Sequence, residues 1–292
     1  MSRFGFPSTA EAVTSGIDLT GTTWVITGVS SGLGRESARV LALRGAHIIG
    51  LARSQDAAAA TLSELSIQGT AVACELSDIE SVRAAAHAIR GHALSGIMAN
   101  AGIMALPTLR QTHGIEQQLF VNHVGHFELV RHLTPLLQPG ARVVVLSSEA
   151  HRMAEKRGLE LENAHGESSY HAWKMYGRSK LANILFARGL ARRFEAAGLS
   201  QTANAVHPGV IQTNLARHVA NPDRMFARLK HIEKTVEQGA STQCYVATHP
   251  DWSQTSGQYF SDCAVLEPIA AAKDDALAET LWTWSEALVN RI

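Results

Sequence analysis

Two hydrophobic rhythms alternate along this chain. Short, continuously apolar or β-branched runs read as strands buried on both faces, and longer stretches with apolar residues every three or four positions read as helices. Thr23–Thr27 is the first such run, and an amphipathic stretch follows it, ending at Gly45. The strands His47–Leu51, Ala71–Cys74, Ser95–Ala99, Arg142–Leu146, Thr202–Val206 and Gln258–Phe260 follow in order. Helical stretches separate them: one capped by Asp78 and running to about Arg90, one over 115–137, one carrying Tyr176 and Lys180, one over 234–248 and a closing one over 276–289. Strand–helix–strand order of this kind needs crossover connections and predicts parallel pairing. Neither an internal repeat nor a linker-like stretch interrupts it, so the chain reads as a single domain over 1–292, with 1–20 as an arm before the fold.

The polar residues that break the pattern sit where strands end. Gly28, Ser30, Ser31, Gly32, Leu33 and Gly34 follow the first strand, and Arg53 and Ser54 the second. Glu75-Leu76 follows the third, Asn100-Ala101-Gly102 the fourth, Ser147-Ser148 the fifth and His207-Pro208-Gly209 the sixth. In open parallel sheets, ligands bind beyond the carboxyl ends of the strands. A glycine-rich turn between strand and helix lets a pyrophosphate reach the free N–H groups at the helix start. Tyr176 and Lys180, four apart, share one helical face, and a nearby ammonium favours the phenolate.

Composition narrows the classes. The 292 residues carry zero formal net charge and are 46% hydrophobic, which suits a globular core and gives no basic stripe for nucleic acid. Cys74, Cys244 and Cys263 form no paired motif, which fits a reducing compartment. The start is not a signal peptide and no segment has the length of a membrane helix, so a cytoplasmic location is expected. The 14 histidines fall in no metal-ligand pattern, and no metal is expected.

These motifs together resemble the short-chain dehydrogenase/reductase family. Thr27-Gly28 with Gly32 and Gly34 is similar to its cofactor motif, and Asn100-Ala101-Gly102 to the motif after its fourth strand. Asn122, Ser148, Tyr176 and Lys180 match its catalytic tetrad in order, and Pro208-Gly209 its motif after the sixth strand. The runs Val121–Phe127 and Ser179–Asn183 are most similar to the retinol-dehydrogenase-like and WW-domain-oxidoreductase-like branch. The resemblance implies a Rossmann-type, doubly wound α/β sheet of about seven mostly parallel strands, with helices on both faces. It implies hydride transfer between a nicotinamide and a carbonyl or secondary alcohol, with Tyr176 as general acid/base. Lys180 would lower the tyrosine pKa and hold the ribose, Ser148 would bind the substrate oxygen, and Asn122 would relay to Lys180 through water. Ser147 competes with Ser148 by position. Val210 and Thr213 join the implied cofactor residues.

Three departures stand out: Glu75 where the family has Asp, Ala99 where it often has Asn, and a long interval from Ser148 to Tyr176 (176 − 148 = 28). The stretch 149–169 therefore reads as an insert, whose relatives bear on oligomeric packing, so a homo-oligomer is one of the states left open. The stretch 210–232 reads as a substrate lid. The second strand ends without an acid, and Arg53, Ser54 and a possible helper Arg35 favour NADP over NAD; loose selectivity is the competing reading. The expected partner is a small and hydrophobic substrate, with a small polar carbonyl as the alternative. Two other functions compete: an NADP-dependent reductase of carbon–carbon double bonds, as in protochlorophyllide reductases, which would share the Tyr176/Lys180 pair, and a cofactor-sensing module of the same fold without turnover, a class that usually lacks that Tyr or Lys. His123 and His126 read as packing or helix-surface residues.

Overall fold

The computed structural model describes residues 4–154, 158–219 and 221–292. Eight strands make the central sheet: β1 (Thr23–Thr27), β2 (His47–Ala52), β3 (Thr70–Ala73), β4 (Leu94–Ala99), β5 (Leu137–Leu146), β6 (Thr202–His207), β7 (Tyr259–Ser261) and β8 (Ala264–Val265). They lie in the order β8-β7-β6-β5-β4-β1-β2-β3. Every neighbouring pair is parallel except β7 with the two-residue edge strand β8, which raises the expected seven strands to eight. The chain winds outward from β1 to β3 and then returns beside β1 as β4. This reversal opens a crevice at the C-terminal ends of β1 and β4, the usual ligand position in such sheets.

Alternation along each strand feeds two cores. Val25, Ile49, Ile97 and Val143 point to one face, where they meet α4 (Ile79–Ile89), α6 (Gly125–Leu133), α7 (Ala172–Ala196) and α11 (Asp275–Arg291). Trp24, Ile26, Ile48 and Val144 point to the other, towards α2 (Gly32–Leu43), α3 (Gln55–Glu64) and α10 (Ser241–Thr248). Val25, Ile26, Ile48, Ile49 and Ile97 have no exposed surface, and each such side chain contributes about 1.5–3 kcal/mol of burial.

Several elements differ from the sequence pattern. The arm carries a short helix, α1 (Ala10–Val13), which buries Ala10 and Val13 in the second core, where Leu19 joins them. Helix α3 was not anticipated, because its alanine-rich stretch has almost no apolar stripe; Ala58, Thr61 and Leu62 supply the face it buries. The long helix expected over 115–137 is shorter at both ends. Ile115–Glu116 pairs with Gln111–Thr112, α5 (Gln117–Leu119) begins the winding, and Pro135 falls in a 3₁₀ turn after Leu133. Leu137 then already belongs to β5, whose register against β4 shifts between Leu94 and Gly96. The helix expected over 234–248 starts later, because Lys234 is drawn into a short parallel pairing with Ile211, and it is divided at Ala240 into α9 (Val236–Gly239) and α10.

That pairing matters for the site. Val210–Ile211 and Glu233–Lys234 lie side by side, so the segment between them leaves and rejoins the fold at one place. It contains the 3₁₀ turn Asn214–His218 and α8 (Pro222–Leu229). In 149–169, residues 155–157 lie outside the described residues. Of the rest, Ala154, Leu159 and Ala164 are anchored in the first core, while Met153 and residues 167–169 are exposed.

Candidate active site

A cleft of ≈ 460 Å³ lies at the C-terminal ends of β1, β2 and β4. Its floor is the turn after β1. Gly28, at φ +73°, directs its N–H and that of Val29 to the Leu51 carbonyl (2.8 and 3.2 Å). Gly34 is packed so closely that a Cβ would lie 2.4 Å from the Gly28 carbonyl and 2.6 Å from Asn100 Nδ2. The turn is thereby drawn against the end of β4. Asn100 Nδ2 donates to Thr27 O (2.8 Å), and the N–H groups of Asn100 and Ala101 both donate to Thr27 Oγ1 (2.9 Å each). Ser31 stands at the N-cap of α2 with no capping hydrogen bond from its side chain, so the first amides of α2 remain available to an anion.

Tyr176 and Lys180 occupy consecutive turns of α7, which is capped at its start by His171, whose ring accepts from Lys174 N. Both side chains line the cleft and both residues are 4% exposed. Burial pushes the Tyr176 phenol up to about 12, and its hydrogen bond to Ser148 pulls the other way. Burial lowers Lys180 to about 8. The expectation that Lys180 draws the phenol down is thus reversed: desolvation governs both groups and favours their neutral forms. Lys180 Nζ lies 5.5 Å from the Tyr176 ring centroid and donates to Leu146 O (3.0 Å), which ties it to the end of β5.

The two serines separate clearly. Ser147 Oγ donates to Lys180 O (2.7 Å) and is buried. Ser148 Oγ accepts from Ala150 N (3.2 Å) and is the hydroxyl that meets the Tyr176 phenol.

Asn122 lies in a π-helical turn, Phe120–Val124, between α5 and α6. Its side chain is fully committed: Oδ1 accepts from Ile103 N (2.8 Å), and Nδ2 donates to Ile103 O and Ser179 Oγ (2.9 Å each). It does not line the cleft; it holds the backbone after Gly102 and the helix of Lys180. A Cβ on Gly102 would lie 3.0 Å from Asn122 Oδ1 and 3.8 Å from Lys180 Nζ, so the two groups flank that glycine.

His126, read from sequence as packing, is a link. Its Nδ1 lies 3.1 Å from Asn122 O, and its Nε2 lies 2.9 Å from Thr27 Oγ1. Burial lowers it to about 4, and the Asn122 carbonyl opposes this, so the ring is neutral near pH 7. His123 is also fully buried, beside Ser285 Oγ (2.7 Å), and is lowered to about 3.

The outer end of the cleft is basic. Arg53, Arg110, Arg217 and His218 line it, and Arg110, Arg217 and His218 had no place in the sequence pattern. Arg35 does not join them, being paired with Glu64 across the face of α2 (2.9 Å). Ser54 does not line the cleft; it caps α3 through Ala57 N (3.2 Å). Glu75 and Leu76 line the cleft, but Glu75 Oε1 accepts from Ser77 N and Oγ (3.0 and 2.7 Å). Pro208 and Thr213 line it too, Thr213 being the cap of the following 3₁₀ turn. Gly209 and Val210 lie behind them: Gly209, at φ +100°, faces Lys234, and Val210 joins the apolar cluster of Tyr176, Phe226, Trp173 and Met225.

The cleft suits a dinucleotide. It offers a glycine turn, an uncapped helix start and basic side chains at the far end, and no cluster of His, Cys, Asp or Glu among the described residues could hold a metal.

The family profile described as short chain dehydrogenase matches residues 22–159. The chain is 39% identical to Short-chain dehydrogenase TIC 32 B, chloroplastic, of Brassica napus, covering 100% of this chain and 96% of that one. It is 37% identical to Retinol dehydrogenase 14 of Mus musculus, covering 92% and 86%. Among solved structures, a protein of Mycobacterium paratuberculosis at 32% identity overlays with a TM-score of 0.79, covering 95% and 97%. Blue fluorescent protein from a metagenomic library, solved with NADPH, overlays at 0.67 with 25% identity, covering 84% and 97%.

Proposed function

The chain belongs to the short-chain dehydrogenase family, and from that premise we propose that it is an NADP-preferring oxidoreductase of apolar ketones or secondary alcohols. One observation carries the reading: the Tyr176 phenol, bonded to Ser148 and set one helical turn from Lys180, faces a cleft floored by the Gly28–Gly34 turn.

A nicotinamide dinucleotide held in the cleft would supply the hydride chemistry. Gly28 to Gly34, with the free N–H groups at the start of α2, would hold its pyrophosphate, and Arg53 a 2′-phosphate. Asn100, Ala101 and Gly102 would lie along the ribose and adenine side. Tyr176 gives its proton to the substrate oxygen in reduction and takes it back in oxidation, help of the kind worth about 10²–10⁴ in rate. A phenol raised to about 12 holds its proton at neutral pH, which suits the reductive direction. Ser148 orients the substrate oxygen against that proton. Lys180, held by Leu146 O, sets its charge beside the phenol and would hold the ribose of a bound cofactor. Asn122 keeps the backbone after Gly102 and the turn of Ser179 in place for both.

The apolar preference is supported by the wall of Trp173, Val210, Leu215, Met225 and Phe226 that packs with Tyr176. Three free, buried thiols and the absence of any helix long and apolar enough to cross a membrane among the described residues are compatible with a cytoplasmic location.

Following the nicotinamide absorbance with NADPH and NADH over a panel of aryl, steroid and aliphatic ketones tests the proposal. Turnover by at least one apolar ketone, faster with NADPH, is expected. Tyr176→Phe should abolish turnover and keep NADPH binding. Equal use of both cofactors removes the NADP preference; full activity in Tyr176→Phe removes the mechanism.

A further inference from the structure

The segment after β6 spans the cleft rather than simply covering the substrate side. It starts over the glycine turn: a Cβ on Gly32 would lie 3.4 Å from Thr213 Cγ2. From there the 3₁₀ turn Asn214–His218 runs along the cleft, with Asn214, Leu215, Arg217 and His218 in its lining. It ends beside the tip of β2, because Arg53 lines the same cleft and its charge is felt at Arg217, whose pKa is lowered by burial and by Arg53.

Two guanidinium groups facing one cleft repel. No free carboxylate among the lining residues offsets this. Glu75, the one carboxylate among the lining residues, is turned to Ser77. The chain as a whole carries no formal net charge, so the positive field is local to this end. Arg217 is also oriented: its Nη1 donates to Asn214 O (3.0 Å), and its neighbour Ala216 is buried in the apolar cluster beside Tyr176. A guanidinium has five N–H donors, so most of the fork remains for a ligand. An anion between the two arginines would turn repulsion into two charge-assisted contacts.

We propose that Arg217 and Arg53 form a two-sided clasp for the 2′-phosphate of the dinucleotide, so that the segment after β6 closes on NADP(H) and not on NAD(H). The clasp rests on the NADP reading above and adds a second phosphate ligand, carried by the same segment that walls the substrate side.

The test is binding of adenosine 2′,5′-bisphosphate and of 5′-AMP, which differ only in the 2′-phosphate, to the full chain by calorimetry. The wild-type protein should prefer the bisphosphate. Arg217→Gln should weaken the bisphosphate about tenfold, the equivalent of one charge-assisted contact, and leave 5′-AMP within a factor of about two. Arg53→Gln should do the same. Both arginines are on the surface, and an unchanged melting temperature confirms that the variants are folded. Loss with Arg53→Gln and none with Arg217→Gln overturns the clasp and leaves the NADP reading standing. Equal weakening of both ligands by Arg217→Gln also overturns it, by assigning that arginine to the shared 5′-phosphate. A wild-type protein that binds both ligands equally overturns the NADP reading and the clasp with it.

Discussion

His126 Nε2 and Thr27 Oγ1, 2.9 Å apart, join the helix of Asn122 to the strand that ends in the glycine turn. Thr27 Oγ1 already accepts two backbone N–H bonds, so its proton points to Nε2. The remaining ring proton must then sit on Nδ1, where it is donated to Asn122 O. This tautomer follows from the hydrogen-bond balance. Replacing His126 by Leu removes both ring hydrogen bonds from a buried interior and leaves the Thr27 proton only the Met98 carbonyl at 3.5 Å. An unmet buried group costs about 1–3 kcal/mol. His126→Leu should therefore lower stability by about 2–4 kcal/mol in urea melts and also weaken NADPH binding. Unchanged stability would contradict the link.

Stability should also fall on the acid side. Burial lowers His123 to about 3 and His126 and His207 to about 4, whereas the unfolded chain titrates near 6.5. Between those values the unfolded state binds more protons, so stability is complete above pH 6.5 and is lost as pH falls towards 4. Each unit of separation is worth about 1.4 kcal/mol, an upper bound for groups whose surroundings relax. Melting curves from pH 7.5 to 4.5 should show the decline, and it should be shallower in His126→Leu.

Ser147→Ala and Ser148→Ala should part company. The first removes a hydrogen bond to Lys180 O and should cost about 1 kcal/mol of stability with most turnover retained. The second should leave stability nearly unchanged and reduce kcat by about 10²–10³, as for loss of a donor to a developing oxyanion. Equal kinetic effects would mean that the chemistry does not distinguish the two hydroxyls.

Lys180 is held in a form that costs stability. Its pKa falls from 10.5 to about 8, so below pH 8 folding must bury a charge. The shift corresponds to about 3 kcal/mol at most. Lys180→Met should be inactive and yet at least as stable as the wild type at pH 7, a trade often seen at functional sites. In the wild type the reductive rate should fall as pH rises through about 8, where the ammonium loses its proton. A rate that stays flat to pH 9.5 would remove Lys180 from the acid–base balance.

The strand ends, the glycine turn and the Tyr176/Lys180 spacing were legible in sequence because each follows from local periodicity. The partners were not. That Arg35 is spent on Glu64 depends on α3, whose alanine-rich stretch hides its buried face. Ser148 rests on family resemblance alone, since position does not separate it from Ser147, and the structure brings Ser148 to the phenol. His126 reads only as a packing residue and Arg217 goes unremarked for the same reason: one buried histidine and one loop arginine carry no spacing, and each gains meaning only from a partner remote in sequence, Thr27 or Arg53.

The short pairing of Val210–Ile211 with Glu233–Lys234 makes the intervening stretch an exchangeable cassette. Chain closed at its base tolerates changes in length at little entropic cost. A relative's segment can therefore be grafted between those two anchors without moving β6 or Tyr176. Such a graft replaces Met225 and Phe226 together with Arg217, so a new substrate range and a new cofactor preference would be inherited in one exchange.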